Sequence, residues 1–466
     1  MEKLTVKGTR FVDGSGREVL LQGINFVCKE KKLGYLWPDH RRLFSWFARS
    51  GFNVIRLGIF WDAVEPQPGV YDNVYLKKIS DVISDAEAEN LYVLVDMHQD
   101  LWSVRYMDGA PEWATITDGA EHPANCTMWY EAYLRSEAII NAADHFWKND
   151  PAEDGIGLMD HYASMWEHIA KRLDDHDNII GYEPMNEPFM GSLARNTFGL
   201  AENKTKEKFP EFDLASMQGI TPESQAYMGE IVSRAFMEFD RNTLMPFYQK
   251  MNDSIRRVSK RALATGGNIY CSANFTSGIG RVNGPDKKPE EQQIYAPHGY
   301  DSVVDSDNYY NFNPENVAAL FADKRMTQER LGMPVLAGEW GAFPSREFTN
   351  GLIEQMNGIL ETYLWSSTYW WYLPGMETDE NYSALKRAYP AVTEGELRRY
   401  HYDRQKEVFE VSWEGKEVLC FLPFEEYEMS ADAGTEVQTV KSMDGAVYVR
   451  ITAAGDREVS AVISRK

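Results

Sequence analysis

Eight apolar runs alternate with helical patterns between about residue 18 and residue 388, and this repetition limits the fold more than any other feature. The runs predict strands at residues 19–25, 53–59, 91–98, 179–186, 268–273, 293–298, 334–338 and 367–372. The patterns between them predict helices at 39–50, 75–89, 161–174, 230–259, 314–331 and 346–363. Strands that are apolar along their whole length belong to parallel sheets covered by helices on both faces. Eight such units fit an α/β fold closed into a (β/α)8 TIM barrel. An open doubly wound sheet is the alternative, but no Gly-rich phosphate fingerprint follows the first strand.

Two connections are longer than the roughly 15 residues of an ordinary loop. One runs from Asp100 to Asp160 after the third strand, the other from Phe189 to about Tyr227 after the fourth. Both follow strand C-termini and should lie over the face where a barrel keeps its chemistry. The first carries Trp102, Trp113, Trp129, Phe146 and Trp147. Either the two connections wall a pocket together, or they are helical decoration packed on the barrel. After Pro390 the pattern shortens to alternating runs at 408–411, 417–422, 437–440, 446–451 and 458–463. Turns are expected between them at Trp413-Glu414-Gly415-Lys416 and Ala453-Ala454-Gly455-Asp456. This texture predicts a small C-terminal antiparallel β-sandwich domain. The expected division is a barrel over 1–390 and the sandwich over 391–466.

The 466 residues are enough for both units. A net charge of −23 repels nucleic acid and anionic membrane surfaces, so neither is expected as a tight partner. No apolar run reaches the length of a membrane helix, so no integral membrane segment is expected. The N-terminus, Met1-Glu2-Lys3-Leu4-Thr5-Val6-Lys7, lacks the apolar core of a signal peptide. That predicts a cytoplasmic protein, with secretion open if a leader has been trimmed. Cys28, Cys126, Cys271 and Cys420 are far apart and show no metal-binding spacing; free buried thiols are expected. A monomer or weak homo-oligomer is expected.

The chemistry is read from two strand ends. Ile179-Ile180-Gly181-Tyr182-Glu183-Pro184-Met185-Asn186-Glu187-Pro188 reads as a buried strand that stops in an Asn-Glu pair capped by proline. Pro334-Val335-Leu336-Ala337 leads into Gly338-Glu339-Trp340-Gly341. From the fourth and seventh strands of a barrel, Glu187 and Glu339 would both point into the bowl at its C-terminal face. Two carboxyl groups about 5–5.5 Å apart cleave a glycosidic bond with retention: one attacks the anomeric carbon and the other protonates the leaving oxygen. Glu339, paired with a cation such as Arg56, would be the ionised nucleophile. Glu187, close to that negative charge, would hold its proton near neutral pH and act as acid/base. Asn186 would bond the sugar 2-OH. Arg56 lies inside the apolar run Asn53-Val54-Ile55-Arg56-Leu57, where a charge requires a partner.

Polar or aromatic side chains recur at the other strand ends: Asp96 and His98 at the third, His298 and Tyr300 at the sixth, Trp370 and Trp371 at the eighth. Asp96, His98 and His298 lack the helical His-x-x-x-His spacing, and the carboxyl pair already supplies acid, base and nucleophile. No metal or cofactor is therefore expected.

On these segments the chain resembles the family 5 glycoside hydrolases of clan A, and most of all their endoglycoceramidase/glucosylceramidase-like branch. The resemblance rests on Leu21-Gln22-Gly23-Ile24-Asn25-Phe26-Val27-Cys28-Lys29, Asp96-Met97-His98-Gln99-Asp100, the Asn186-Glu187-Pro188 strand, Ala296-Pro297-His298, the Glu339 segment and the join Tyr389-Pro390-Ala391-Val392. The Asn-Glu-Pro and Glu-x-Gly elements are shared by the whole clan; the third-strand segment and the Tyr-Pro join are specific to the branch. The resemblance implies Glu187 as acid/base and Glu339 as nucleophile. It implies that Tyr300 bonds the nucleophile, His298 the acid/base region, and that Arg56 orients Glu339. Lys29, Asp96, His98 and Trp370 would hold the sugar; Trp370 is chosen over Trp371 because strand alternation turns only one of them inward.

The expected function is a retaining β-glycosidase that removes a β-linked glucose or glucose-terminated glycan from an apolar aglycone such as ceramide or sterol. The expected partner is thus a glycoside or glycolipid substrate. Two alternatives remain beside it: an endo-β-1,4-glucanase or mannanase working in an open aromatic cleft, and a non-catalytic carbohydrate-binding barrel.

Overall fold

In the computed structural model, which describes residues 1–466 other than 124, 215, 217 and 442–444, the apolar runs build a curled parallel sheet. Three short strands open the chain: β1 (Thr5–Lys7), β2 (Arg10–Val12) and β3 (Glu18–Val19). The parallel sheet follows as β4 (Gln22–Phe26), β5 (Val54–Ile59), β6 (Tyr92–Met97), β7 (Ile179–Glu183), β8 (Ala262–Thr265), β9 (Gln293–Tyr295), β10 (His298–Gly299), β11 (Leu336–Gly341) and β12 (Ser366–Trp370). Neighbours pair in the order β10-β11-β12-β4-β5-β6-β7-β8-β9. The circle closes where Tyr295 bridges Val335 and the Tyr295 N–H donates to Pro334 O at 3.0 Å. β9 and β10 are halves of one stave interrupted at Pro297, which has no N–H to give a ladder. Eight staves result, and the fold is a (β/α)8 TIM barrel.

The helices are α1 (His40–Arg49), α2 (Trp61–Val64), α3 (Asn73–Ala88), α4 (Ala132–Arg135), α5 (Glu137–Trp147), α6 (Leu158–Leu173), α7 (Ser192–Lys208), α8 (Pro222–Phe239), α9 (Met245–Ile255), α10 (Pro314–Leu331) and α11 (Thr349–Tyr363). Outward residues Ile55 and Leu57 of β5, and Val93 and Val95 of β6, join the main core beneath this layer. Val54, Tyr92, Leu94, Ile180 and Leu336 form a separate cluster inside the barrel, with Leu4, Val6 and Phe11 of the N-terminal segment packed on it. Further along the same inward faces, at the spacing of two that a strand imposes, the residues become polar: Arg56 on β5 and Asp96 on β6. The bowl therefore has an apolar floor and a polar upper layer.

Three local expectations for the barrel change. Residues 268–273 are not the fifth strand; they hold a single 3-10 turn, Ile269–Ser272, and β8 takes the strand's place. β8 is four residues, Ala-Leu-Ala-Thr, and alanine carries little strand preference. The Asn268 side chain ends any strand there by accepting the Tyr270 N–H at 3.1 Å. The single helix expected at 230–259 is α8 and α9 joined through a π-helical turn, Asp240–Leu244, ahead of Pro246, which cannot continue the regular ladder. The expected first strand is divided, β3 leaving for a second sheet. The two long connections contain structure of their own, α4 and α5 in the first and α7 in the second.

The second sheet is antiparallel: β13 (Tyr389–Asp403), β14 (Val408–Leu422), β15 (Tyr427–Ala431), β16 (Thr435–Lys441) and β17 (Val447–Arg465), joined by β1–β3 through pairing of β3 with β13. The turns expected at 413–416 and 453–456 are absent; β14 and β17 run through them. Bulges replace the turns, and Gly395 pairs with Gly415 at one of them. A Cβ on Gly395 would lie 2.1 Å from Glu414 O, so only glycines allow this approach. β16 pairs with the first part of β17 and β15 with the last, so β17 serves both layers of a β-sandwich around Phe409, Trp413, Phe421 and Val449. The Tyr389 hydroxyl donates to Gly51 O at 2.8 Å and fastens this unit to the barrel. All four cysteines are free thiols; Cys28, Cys271 and Cys420 are buried and Cys126 half-buried. Among the described residues no helix is long and apolar enough to cross a membrane.

Candidate active site

Arg56, 0 % exposed on β5, is the hub of the polar layer. Its Nη1 donates to Glu339 Oε1 at 2.7 Å and to Asn25 Oδ1 at 3.0 Å. Its Nε donates to Glu183 Oε2 at 2.7 Å, and its Nη2 to Asn186 Oδ1 at 2.9 Å, with Asp96 Oδ1 at 3.0 Å. A guanidinium stays charged and offers five N–H groups in a fixed plane, so one side chain sets the orientation of four strands.

Glu187 lies four residues beyond the end of β7, with φ at +40°. A side chain other than glycine persists in this left-handed region only where its surroundings over-determine it. Here Gln99 Nε2 donates to Asn186 O at 2.9 Å and Glu187 O at 3.1 Å, while Asn186 Nδ2 returns a bond to Gln99 O at 3.1 Å. Burial pushes the Glu187 carboxyl up to about 8, with the charge of Asp100 adding to the effect. The raised value matches the sequence reading, but its main cause is burial rather than a charge on Glu339. His298 Nδ1 lies 3.0 Å from Glu187 Oε1, and burial pulls this imidazole down to about 4, so it is neutral at pH 7.

Glu339 sits in β11, in register with His298 of β10. Its Oε1 accepts from Arg56, and its Oε2 accepts from the Tyr300 hydroxyl at 2.7 Å. Ligand-type atoms of Glu187, His298 and Glu339 all lie within 4.8 Å of one another. Two carboxyl groups this close leave no room for a water on the far side of a sugar, which is the geometry of retention.

The neighbouring wall is Lys29, His98, Asp100 and Trp370. The Lys29 ammonium pairs with Asp100 and stands 4.9 Å from the Trp370 ring centre. His98 stacks on Trp370 at 5.2 Å between ring centroids. Burial opposes a charge on His98, but Asp96 and the bonds to Asp100 and Asp96 outweigh it and push the ring up to about 10. Asp96, expected at the sugar, is 0 % exposed and bonds His98 Nδ1 at 2.8 Å. Trp370 and Trp371 both line the cavity, because β12 ends at Trp370 and strand alternation no longer governs its successor.

One cavity of about 880 Å³ holds these groups. Met107, Trp129, Tyr130 and Leu134 of the first long connection form part of its lining, with Ile269 and Val304 from other strand-end loops. Of the five aromatics noted in that connection only Trp129 lines it; Trp102, Phe146 and Trp147 pack against one another. Among the described residues the second long connection contributes none to the lining. Among the described residues two clusters have the donors a metal would need, His98/Asp100/Asp108 and Glu187/His298/Glu339. In the first, the Lys29 ammonium already supplies the positive charge.

Five polar residues of the site were not singled out from sequence: Asn25, Gln99, Asp100, Glu183 and Ser272. Glu183 carried a signal, since a carboxylate ending an apolar strand needs a cation. Burial pushes its carboxyl up, against the pull of Arg56. Gln99 and Ser272 carry no such mark.

Residues 12–374 match the family model described as Cellulase (glycosyl hydrolase family 5). An endoglycoceramidase I of Rhodococcus hoagii is 26 % identical over 486 aligned positions, covering 99 % of this chain and 88 % of that protein. An endoglycoceramidase of Cyanea nozakii is 31 % identical over 221 positions; the match spans 40 % of this chain and less than half, 42 %, of the relative. The solved structure of endo-glycoceramidase II from Rhodococcus sp. superposes with a TM-score of 0.77 at 22 % identity, over 98 % of this chain and 99 % of that one, so the two share a fold.

Proposed function

The chain belongs to glycosyl hydrolase family 5, and from that premise we propose that it is a retaining β-glycosidase cleaving a sugar from an apolar aglycone such as ceramide or a sterol. The observation that carries this reading is the large cavity in which the carboxyl pair shares its walls with apolar loop residues such as Met107, Leu134 and Val304. A soluble glycan would not use such a flank, whereas a lipid chain loses contact with water there. The relatives named endoglycoceramidases support the same substrate class.

In the first displacement, a Glu339 carboxylate oxygen bonds the anomeric carbon as the bond to the aglycone oxygen breaks, and Glu187 gives that oxygen its proton. Asn186 Nδ2 uses one hydrogen on Gln99 O and keeps the other for the sugar 2-OH. Once Glu339 is an ester its charge is gone while Arg56 stays positive, which favours ionised Glu187. That carboxylate takes a proton from water, the water oxygen bonds the anomeric carbon from the face the aglycone left, and Glu339 is released.

The test is a panel of aryl β-glucosides, β-galactosides and β-cellobiosides beside glucosylceramide and a steryl glucoside. Turnover of the amphiphilic substrates with retained configuration is expected. Predominant turnover of soluble β-1,4-glucan or mannan would replace this reading with the glycanase alternative. No turnover of any substrate, with binding intact, would leave a sugar-binding barrel.

A further inference from the structure

The 3-10 turn Ile269–Ser272 is held from several sides, and Ser272 at its end lines the same cavity as Glu187 and Glu339. Buried Asp240 accepts Asn268 N–H at 3.1 Å and Asn268 Nδ2 at 2.8 Å at its start. Buried Lys324 donates through Nζ to Cys271 O at 2.6 Å. The Ile269 N–H donates to Pro188 O at 3.1 Å, directly beside Glu187, and the Tyr300 N–H donates to Ser272 O at 3.0 Å. Tyr300 is the residue whose hydroxyl reaches Glu339. Ser272 and Glu187 line the main cavity together and also a small one of about 20 Å³. The Ser272 hydroxyl donates to Ile269 O at 2.6 Å, and the small cavity that Ser272 and Glu187 both line sets Ser272 beside Glu187.

We infer that Ser272 is a positioning residue that serves Glu187 in both of its protonation states, its hydroxyl turning between the Ile269 carbonyl and the Glu187 carboxylate. This rests on the reading of Glu187 as acid/base. While Glu187 holds its proton, the Ser272 O–H points at Ile269 O and its oxygen can accept from the carboxyl. After Glu187 has protonated the leaving oxygen, the hydroxyl rotates about Cβ–Oγ and donates to the new carboxylate. A hydroxyl can do this because it is one donor and two acceptors on a free rotor, and the fixed turn keeps its oxygen in place. The contact favours the ionised form, which the second displacement needs as its base.

The test uses the full chain and the best aryl β-glycoside of the panel, with kcat and kcat/KM followed against pH for the wild type, Ser272→Ala, Ser272→Thr and Glu187→Gln. Losing a donor to the carboxylate should move the alkaline limb of kcat/KM up by about one pH unit in Ser272→Ala. In that variant kcat should fall more than kcat/KM, and Ser272→Thr, which keeps the hydroxyl, should restore both. A Glu187-dependent limb that Ser272→Ala leaves in place would overturn the role of Ser272 alone. So would an equal shift in Ser272→Thr. A limb that survives Glu187→Gln would overturn the acid/base reading and the Ser272 inference with it.

Discussion

Gln99 holds Glu187 by the main chain, its Nε2 donating to the Glu187 carbonyl at 3.1 Å and to the Asn186 carbonyl at 2.9 Å. Without that amide nothing else named in the site bonds the Glu187 carbonyl, and the backbone at φ +40° is free to relax. Gln99→Ala should therefore lower kcat/KM by about a hundredfold, the cost of misplacing a reacting group by about 1 Å. Steady-state kinetics beside circular dichroism checks it: an unchanged spectrum with unchanged kinetics would show that the carboxyl needs no such clamp.

Glu187 also sets a link between pH and stability. An unfolded chain releases this proton near 4.5, whereas the folded protein keeps it to about 8. Between those values the unfolded state carries fewer protons, so this group weakens folding as pH rises from 4.5 to 8, and its full penalty is present above 8. Glu187→Gln removes the group. The variant should be nearly inactive yet melt higher than the wild type at pH 8.5 by on the order of a few degrees. The gain should disappear at pH 4.5. Melting curves at the two pH values decide it; an equal gain at both would separate the stability change from ionisation.

Trp129 joins two loops over the cavity, its indole N–H donating to Asp305 Oδ2 at 2.9 Å. Trp129→Ala removes both a wall and the strap. For a ceramide-linked substrate KM should rise roughly tenfold or more, the scale at which an apolar pocket discriminates. A small aryl glycoside should be little affected. Equal losses on both substrates would place Trp129 at the sugar instead.

The sandwich should be inseparable from the barrel. Gly51 lies under the Phe421 ring and accepts from Tyr389, and Leu20 packs in the sandwich core. A chain ended before Tyr389 exposes these surfaces, so it should be insoluble when expressed. Recovery of a soluble barrel with full activity would show that the second unit is dispensable.

Arg56, Glu187 and Glu339 were legible because each is a charge set within or at the end of an apolar run, where burial demands a reason. The barrel was legible for the same cause: strands covered on both sides are apolar throughout. The turn carrying Ser272 was not, since Ile269, Cys271 and Ala273 fall at every second position and imitate a strand, while the real strand, Ala262–Thr265, has two alanines among its four residues. The resemblance placed Asp96 at the sugar, and strand period does put it on the inner face. That period says nothing about which inner residue stands in front, and His98 does. Nor does composition mark a glycine pair as a bulge rather than a turn, which is why β14 and β17 read as broken.

The pairing of Val19 with Val392 has a consequence for how the chain comes to be made. The segment of Leu4, Val6 and Phe11 that packs on the floor of the barrel leaves a ribosome well before β13, the strand it joins through β3. Until that strand appears, the opening stretch has an unfilled edge and the barrel an unstoppered base. Closing the base of the barrel thus waits until synthesis has passed β13. A product that stops short of β13 carries its defect beside β3 as well as at the cut, and quality control meets it as an open edge rather than as a missing tail.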